Sequence, residues 1–410
     1  FVVFSGGTAC NHILEAFHNV SDKVNYVLGI SDNGGSTSEL LRVLGGPSVG
    51  DLRSRLLKLM DLFDTGDQEM VAIKHLLSYR LPVHPHVYEE WLLILNGSHK
   101  LWKDISIEKK ETIRQFLRLF DLEIQNKQFN FSHGSIGNFL LTGARLFTGS
   151  LETSLFLFAS IIKVPGLVTA VIDSSQPTTI TATLTNGATL VGQCEISHPT
   201  TPTEECSFLF SKRINPQLDS PIHRIYYTNP WQQEIFPTPN PKVLSHISTH
   251  RHLVYSIGSL YTSLVPCLIL RSIGNAIAHS TSLKHKILML NGSTDRETHG
   301  YSALDFVLAI TRALNESQRI DSRCPSHLLD LNTPPASPTT HDMFYPSPAS
   351  AFITHLIYLD NTTIPVDLPA IRKLGIQCIP VHGEFSTDGE PIYRPQVLTK
   401  AIQENFIFSN

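Results

Sequence analysis

The chain has 410 residues, 41% of them hydrophobic and 17% charged, with 32 Lys and Arg against 36 Asp and Glu for a formal charge of -4. That length exceeds one ordinary core, so the expectation is a large α/β unit carrying an insertion, or two domains. The charge balance excludes a surface built to wrap nucleic acid, and the longest apolar runs, such as residues 154–162, are too short to span a bilayer.

Residues 1–4 read as a buried strand, followed by the turn SGGT at 5–8 and a helix over 9–17 with Ile13, Leu14 and Phe17 on one face. A second strand over 26–30 runs into SDNGGS at 31–36 and a helix around 38–44. Strand, turn, helix repeated twice implies a parallel sheet whose ligands lie at the carboxyl ends of the strands. Leu52, Leu56, Leu59, Met60 and Phe63 then recur at helical spacing behind Gly50 and Asp51, which supply a helix start.

Residues 65–130 are charged, aromatic and helical in pattern and read as a helical insertion. HGSIGNFLLTGARL at 133–146 joins small polar residues to an apolar helix; His133, a lone histidine, reads as structural rather than as an acid or base. Sheet patterning returns over 167–172, 179–184 and 188–191, where Asn186-Gly187 between Thr-rich runs predicts a type I′ hairpin and a small antiparallel element over about 167–196. Residues 197–207 read as an exposed loop.

A helix and strand over 242–255 lead into SIGSLYTS at 256–263, and a further helix and strand occupy 269–290. Pro and Ser cluster over 321–350, a composition that predicts disorder. Strands over 353–359 and 378–381 complete the same domain, so the expected organisation is 1–320, a disordered 321–350, and 351–410.

The six cysteines lie far apart with no CxxC pair, which points to reduced thiols in a cytoplasmic protein rather than to disulfides or a zinc ribbon. The chain opens on Phe1 directly in a strand, which leaves a preceding leader open.

Small-residue turns that open helices present backbone N–H groups to phosphate. The candidate phosphate-binding residues are Gly6, Gly7 and Thr8, with Asn11 close behind; Gly34, Gly35 and Ser36; Arg53, for a bidentate contact; Gly137 and Asn138; and Gly258, Ser259, Tyr261, Thr262 and Ser263. Asp32 reads either as a Mg²⁺ ligand or proton acceptor, or as a turn carboxylate satisfying backbone donors; Asp51 supplies a carboxylate at a helix start and reads as an ordinary N-cap. For each turn the alternative is packing with capping hydroxyls, but four such turns together favour a ligand. No P-loop, GxGxxG, GxSxG or HExxH pattern is present.

In order and spacing, VVFSGGT, ISDNGGSTSELLR, GGPSVGDLRSRL, LLSYRL, HGSIGNFLL, the Asn-Gly hairpin and VYSIGSLYTSLVPCLIL resemble the 2-phospho-L-lactate transferase (CofD) family from residue 1 to about 314. The likeness is greatest to its UDP-sugar-binding gluconeogenesis factor branch. The resemblance implies a Rossmann-like, mostly parallel sheet with helices on both faces. It also implies a cleft for a nucleoside diphosphate or nucleotide-sugar, lined by SGGT, SDNGGS and SIGSLYTS.

Transferase members move a phospholactyl group to a deazaflavin alcohol with Mg²⁺, which makes Asp32 and Asp51 the candidates for metal or acceptor chemistry. Three departures stand out: Ala9 replaces a glycine, Asn33 a second aspartate, and Ser256-Ile257 a Gly-Pro pair. Asn33 removes a charge that a cation or base would use. Two functions follow as expectations: a Mg²⁺-dependent transferase of a phosphorus-containing group, or a non-catalytic UDP-sugar-binding regulator of carbon metabolism or cell-wall synthesis. A homodimer is the expected assembly, with neither nucleic acid nor membrane as partner.

Overall fold

The computed structural model describes residues 1–63, 66–174, 177–197, 217–323 and 344–408. In chain order its strands are β1 (Val2–Phe4), β2 (Asn25–Leu28), β3 (Val168–Ala170), β4 (Thr179–Leu184), β5 (Thr189–Val191), β6 (Ile222–Thr228), β7 (Glu234–Ile235), β8 (His252–Tyr255), β9 (His285–Met289), β10 (His355–Leu359), β11 (Gln377–Val381), β12 (Gly383–Phe385) and β13 (Pro391–Tyr393).

Seven of these form one sheet in the order β11-β10-β9-β8-β1-β2-β3, with every neighbouring pair parallel. The central strands are buried on both faces, as continuous apolar runs such as Val2-Val3-Phe4 require when helices cover the sheet. The chain winds outward from β1 to β3, returns to β8 beside β1, and winds outward the other way. That reversal opens a crevice at the carboxyl ends of β1 and β8, where ligands bind in open α/β sheets. Phe4 is level with Val27 on one side and Tyr255 on the other, so the turns after β1, β2 and β8 leave the sheet at one height.

The antiparallel element is a separate four-stranded sheet, β5-β4-β6-β7, and β12 pairs with β13. Val168–Ala170, grouped with that element by its sequence pattern, is instead the edge strand of the parallel sheet, paired with β2. The Asn-Gly turn also differs from expectation. Only Gly187 has positive φ (88°), Leu184 N donates to Ala188 O at 2.8 Å, and the connection is a three-residue loop with glycine in the left-handed position rather than a two-residue type I′ turn.

Within 65–130 lie the helices Gln68–Ser78, Val87–Asn96 and Ile107–Ile124. The second and third share an aromatic core with the helix Ile136–Thr148: Phe120 stacks on Phe139 at 4.4 Å, and Trp91 meets Phe139 edge-on at 5.4 Å while donating to Asp121 at 2.7 Å. Such pairs add about 0.5–1.5 kcal/mol each beyond buried area. The insertion is thus built into the molecule's main core. The segment expected to be disordered falls mainly on 324–343, outside the described residues, and its first residues end the helix Ala303–Arg323. Residues 198–207 of the expected loop also lie outside the described residues, and Ser197 ends the helix Gln193–Ser197.

At the amino ends of the strands, away from the crevice, His252, His285 and His355 open three adjacent strands and touch in a column, with ring centroids 5.1 and 5.3 Å apart. Burial holds His252 and His355 down to about 4 against an ordinary 6.5, with His285 as the next contributor for both. A depressed folded-state value means that the unfolded chain binds more protons between pH 4 and 6.5. The column's contribution is therefore complete above about pH 6.5 and is lost as pH falls towards 4. Replacing His355 by Gln is expected to flatten the pH dependence of the urea midpoint between pH 7 and 5 relative to the parent chain; an unchanged slope would count against it.

Candidate functional site

The first turn is held from below by Arg55, a fully buried residue of the helix Gly50–Leu59. Its guanidinium donates to Asn11 Oδ1 (2.7 Å), Ser5 Oγ (3.0 Å) and Gly6 O (2.8 Å), and its Cζ lies 4.8 Å from the centre of the Tyr26 ring. A buried cation is tolerated only when its donors are met in this way. Asn11, expected to contact a ligand, is thus used internally to orient Arg55. Thr8 is exposed, and its hydroxyl caps nothing in the short helix Ala9–His12.

Gly6 and Gly7 are glycines because side chains from elsewhere occupy the space. A Cβ built on Gly6 would lie 2.4 Å from Ser263 Oγ, and one on Gly7 would lie 1.8 Å from Asp51 Oδ1. Asp51 therefore sits directly against the first turn, in the opening turn of the helix Gly50–Leu59. Asp32 accepts from Gly34 N at 2.9 Å, and its other oxygen is 4.0 Å from where a Cβ of Gly50 would be. Burial, then the charge of Asp32, push Asp51 up to about 7, against the pull of Arg55 and Arg53. Two carboxylates from the turns after β2 and before Leu52 thus oppose each other beneath the glycine pair.

Asn33, which replaces a carboxylate, has a structural task. Its Oδ1 accepts from Cys194 N at 3.1 Å and its Nδ2 fills the space beside Gly192, tying the antiparallel sheet to the second turn.

Arg53, 8% exposed, donates through Nε to Asn138 Oδ1 (3.1 Å), and Asn138 Nδ2 donates to Ser36 Oγ (2.9 Å). This chain of side chains joins the first turns of three helices, Gly35–Leu44, Gly50–Leu59 and Ile136–Thr148. Their N-terminal ends, each carrying partial positive charge, converge on one side of the acid pair. A Cβ on Gly137 would lie 3.0 Å from Arg53 Cδ and 2.5 Å from Leu77 O, so glycine there lets the arginine lie flat. HGSIGNF differs from the other turns: it follows no strand of the main sheet, and Ser135 instead forms a bridge with Arg80.

SIGSLYTS stands opposite SGGT, with the Cβ position of Gly258 3.8 Å from Gly6 N. Its hydroxyls, however, face inward. Glu297 Oε2 accepts from Ser259 Oγ, Tyr261 N (2.9 Å) and Thr262 N (3.2 Å), while Oε1 accepts from Thr262 Oγ1 at 2.7 Å. Tyr261 OH meets Tyr301 OH at 2.8 Å. Burial, then Asp295, raise Glu297 to about 7 despite these donors. A protein carboxylate thus takes the donors expected to face a phosphate, and Ser259, Tyr261 and Thr262 shape the crevice from behind. Gly258 and Ser263 remain at its wall, and Asn291 holds Gly258 by bonds of 3.0 and 2.8 Å to its N–H and carbonyl. Arg55, Asn291 and Glu297 were not among the predicted site residues.

Turns gathered over the switch point of a parallel sheet define a doubly wound α/β protein. The chain belongs to the CofD family: the family model described as 2-phospho-L-lactate transferase CofD matches residues 1–344. Among relatives, the protein YNL011C of Saccharomyces cerevisiae is 33% identical, with 95% of this chain and 97% of that one covered. The gluconeogenesis factor of Halalkalibacterium halodurans is 24% identical over 75% of this chain and 72% of its own. The putative gluconeogenesis factor of Thermotoga maritima is 22% identical over 77% and 76%. The crystal structure of protein BH3568 from Bacillus halodurans shares the fold, with a TM-score of 0.65 at 18% identity over 98% of both chains. Among the described residues, no helix is long and apolar enough to cross a membrane, and no group of three or more His, Cys, Asp or Glu is arranged to hold a metal ion.

Proposed function

We propose that the crevice binds a nucleoside diphosphate or nucleotide-sugar and that the protein transfers a phosphorus-containing group from it to an acceptor hydroxyl. The observation that carries this reading is the opposition of Asp32 and Asp51 under Gly7, at the switch point, with Arg53 and Arg55 flanking Asp51. A carboxyl whose proton affinity is raised towards neutrality suits a group that takes a proton at physiological pH. In the transfer, the acceptor oxygen bonds to phosphorus, the bond from phosphorus to the nucleotide oxygen breaks, and Asp51 takes the hydroxyl proton. Gly6, Gly7, Gly35 and Ser36 offer backbone donors to the phosphates, while the Gly34 N–H is spent on Asp32, and Arg53 balances the charge on the leaving group.

The two-carboxylate set fits Mg²⁺, which keeps most of its waters and needs only one or two carboxylates beside substrate phosphates. Asp32 would hold the ion, which would neutralise the leaving phosphate and leave Asp51 free to take the proton. A second reading, a UDP-sugar-binding regulator without catalysis, is favoured by the relatives named gluconeogenesis factor.

Asp51→Asn separates the two. Incubated with Mg²⁺ and pooled nucleoside-diphosphate donors and hydroxyl acceptors, the parent chain is expected to release nucleoside mono- or diphosphate by mass spectrometry. The variant is expected to lose at least about 100-fold of that rate while still binding nucleotide. Tight binding with no turnover by the parent would establish the regulator.

A further inference from the structure

Arg80, from the LLSYRL motif, has no place in the reading above. The backbone on both sides of it is pinned: Ile136 N donates to Tyr79 O (3.1 Å), Leu81 N to Gly134 O (2.9 Å) and His133 N to Leu81 O (2.9 Å). His133 adopts a left-handed backbone (φ 59°), uncommon outside glycine, and its carbonyl makes a long 3.5 Å contact with Arg80 Nη1. Arg80 is therefore anchored by its main chain beside the first turn of the helix Ile136–Thr148, with its own side chain exposed.

Arg53 lies on the inner side of the same place. Its Nε is spent on Asn138, its stem lies against Gly137, and its two Nη groups have no hydrogen-bond partner among the described residues. Burial, and after it the charge of Arg80, lower Arg53 to about 10. Neither guanidinium has a carboxylate within 4.0 Å among the described residues, and the first turn of that helix carries no acidic residue. Asp51 balances part of the Arg53 charge from the side of the acid pair, but the Nη donors of Arg53, a residue only 8% exposed, and the Arg80 guanidinium have no carboxylate in contact, and an anion would complete both.

We propose that Arg53 and Arg80 form a second anion subsite, taking an oxyanion group of the ligand that lies beyond the Asp32 and Asp51 pair from the nucleotide crevice. This rests on the crevice being the nucleotide site. Arg53 supplies the inner contact and Arg80 the outer one, so the transferred group or the acceptor carries a phosphate or carboxylate in addition to the diphosphate. Planar guanidinium forks suit either group.

The test is calorimetric titration of inorganic phosphate, and separately of malonate, into the full chain with and without saturating UDP or GDP, at fixed ionic strength. Phosphate or malonate is expected to bind with nucleotide present, and Arg80→Gln to weaken that binding about tenfold or more while leaving nucleotide affinity unchanged. Arg80 is exposed, so the variant is expected to keep the parent's circular dichroism spectrum. The better of the two probes tells a phosphate-bearing from a carboxylate-bearing group. Displacement of the probe by nucleotide, or equal probe affinity in Arg80→Gln, would overturn the subsite. Arg80-dependent probe binding without any nucleotide binding would support the subsite while removing the nucleotide reading.

Discussion

Replacing Arg55 by Met is expected to cost about 3–5 kcal/mol of stability and to abolish ligand binding even where the chain remains folded. The guanidinium is fully buried and provides the donors for Ser5 Oγ, Asn11 Oδ1 and Gly6 O, so its removal leaves acceptors of the first turn without partners. Methionine fills much of the volume and retains contact with the Tyr26 ring, which separates the loss of hydrogen bonds from the opening of a cavity. Lys is expected to rescue little, because one ammonium cannot reach three acceptors spread over a planar fork. Urea denaturation measures the first effect and nucleotide titration of the folded fraction the second. A variant as stable as the parent would show that the turn holds its shape without Arg55.

The second large effect is expected at Gly7. In Gly7→Ala the new methyl would lie 1.8 Å from Asp51 Oδ1 and 2.3 Å from its Cγ, so the carboxylate must leave its position. A displacement of about 1 Å at a reacting group costs on the order of 100-fold in rate. Adding Asp51→Gly to Gly7→Ala is expected to restore stability by removing the clash, but not turnover, because the carboxylate is gone. The double-mutant cycle thereby yields a favourable coupling in stability, and the double variant is expected to be no less active than Asp51→Gly alone. Additive stabilities would mean that the two residues are not in contact.

The sheet and the position of the crevice were legible because their signals are local. Val2-Val3-Phe4 before SGGT and Tyr26-Val27-Leu28 before SDNGGS announce strand, turn and helix within a few residues of each other. Gly50 and Asp51 likewise announced the helix that carries Arg53 and Arg55. What escaped was the identity of the partners. Glu297 lies 35 to 38 residues beyond the SIGSLYTS groups it accepts from, in a loop whose sequence has no periodic pattern, so the hydroxyls looked available to a ligand. Asn11 was likewise read as facing outward, since nothing local shows that Arg55, 44 residues on, returns to it. Asn33 read as a missing charge, whereas its amide fastens the antiparallel sheet through Cys194. Val168–Ala170 was misplaced for a related reason: an apolar triplet says strand, but not which sheet it joins.

The central claim is that the glycine turns after β1 and β2, braced by Arg55 and Asp51, form one diphosphate crevice. Calorimetric titration of UDP, GDP and UDP-sugars with Mg²⁺ into the parent chain and Gly7→Ala, side by side, tests it most directly. The account predicts one saturable site per chain in the parent for at least one of these ligands and weaker binding in Gly7→Ala, where the added methyl intrudes between the first turn and Asp51. Absence of binding to the parent, or equal affinity in both proteins, would contradict it.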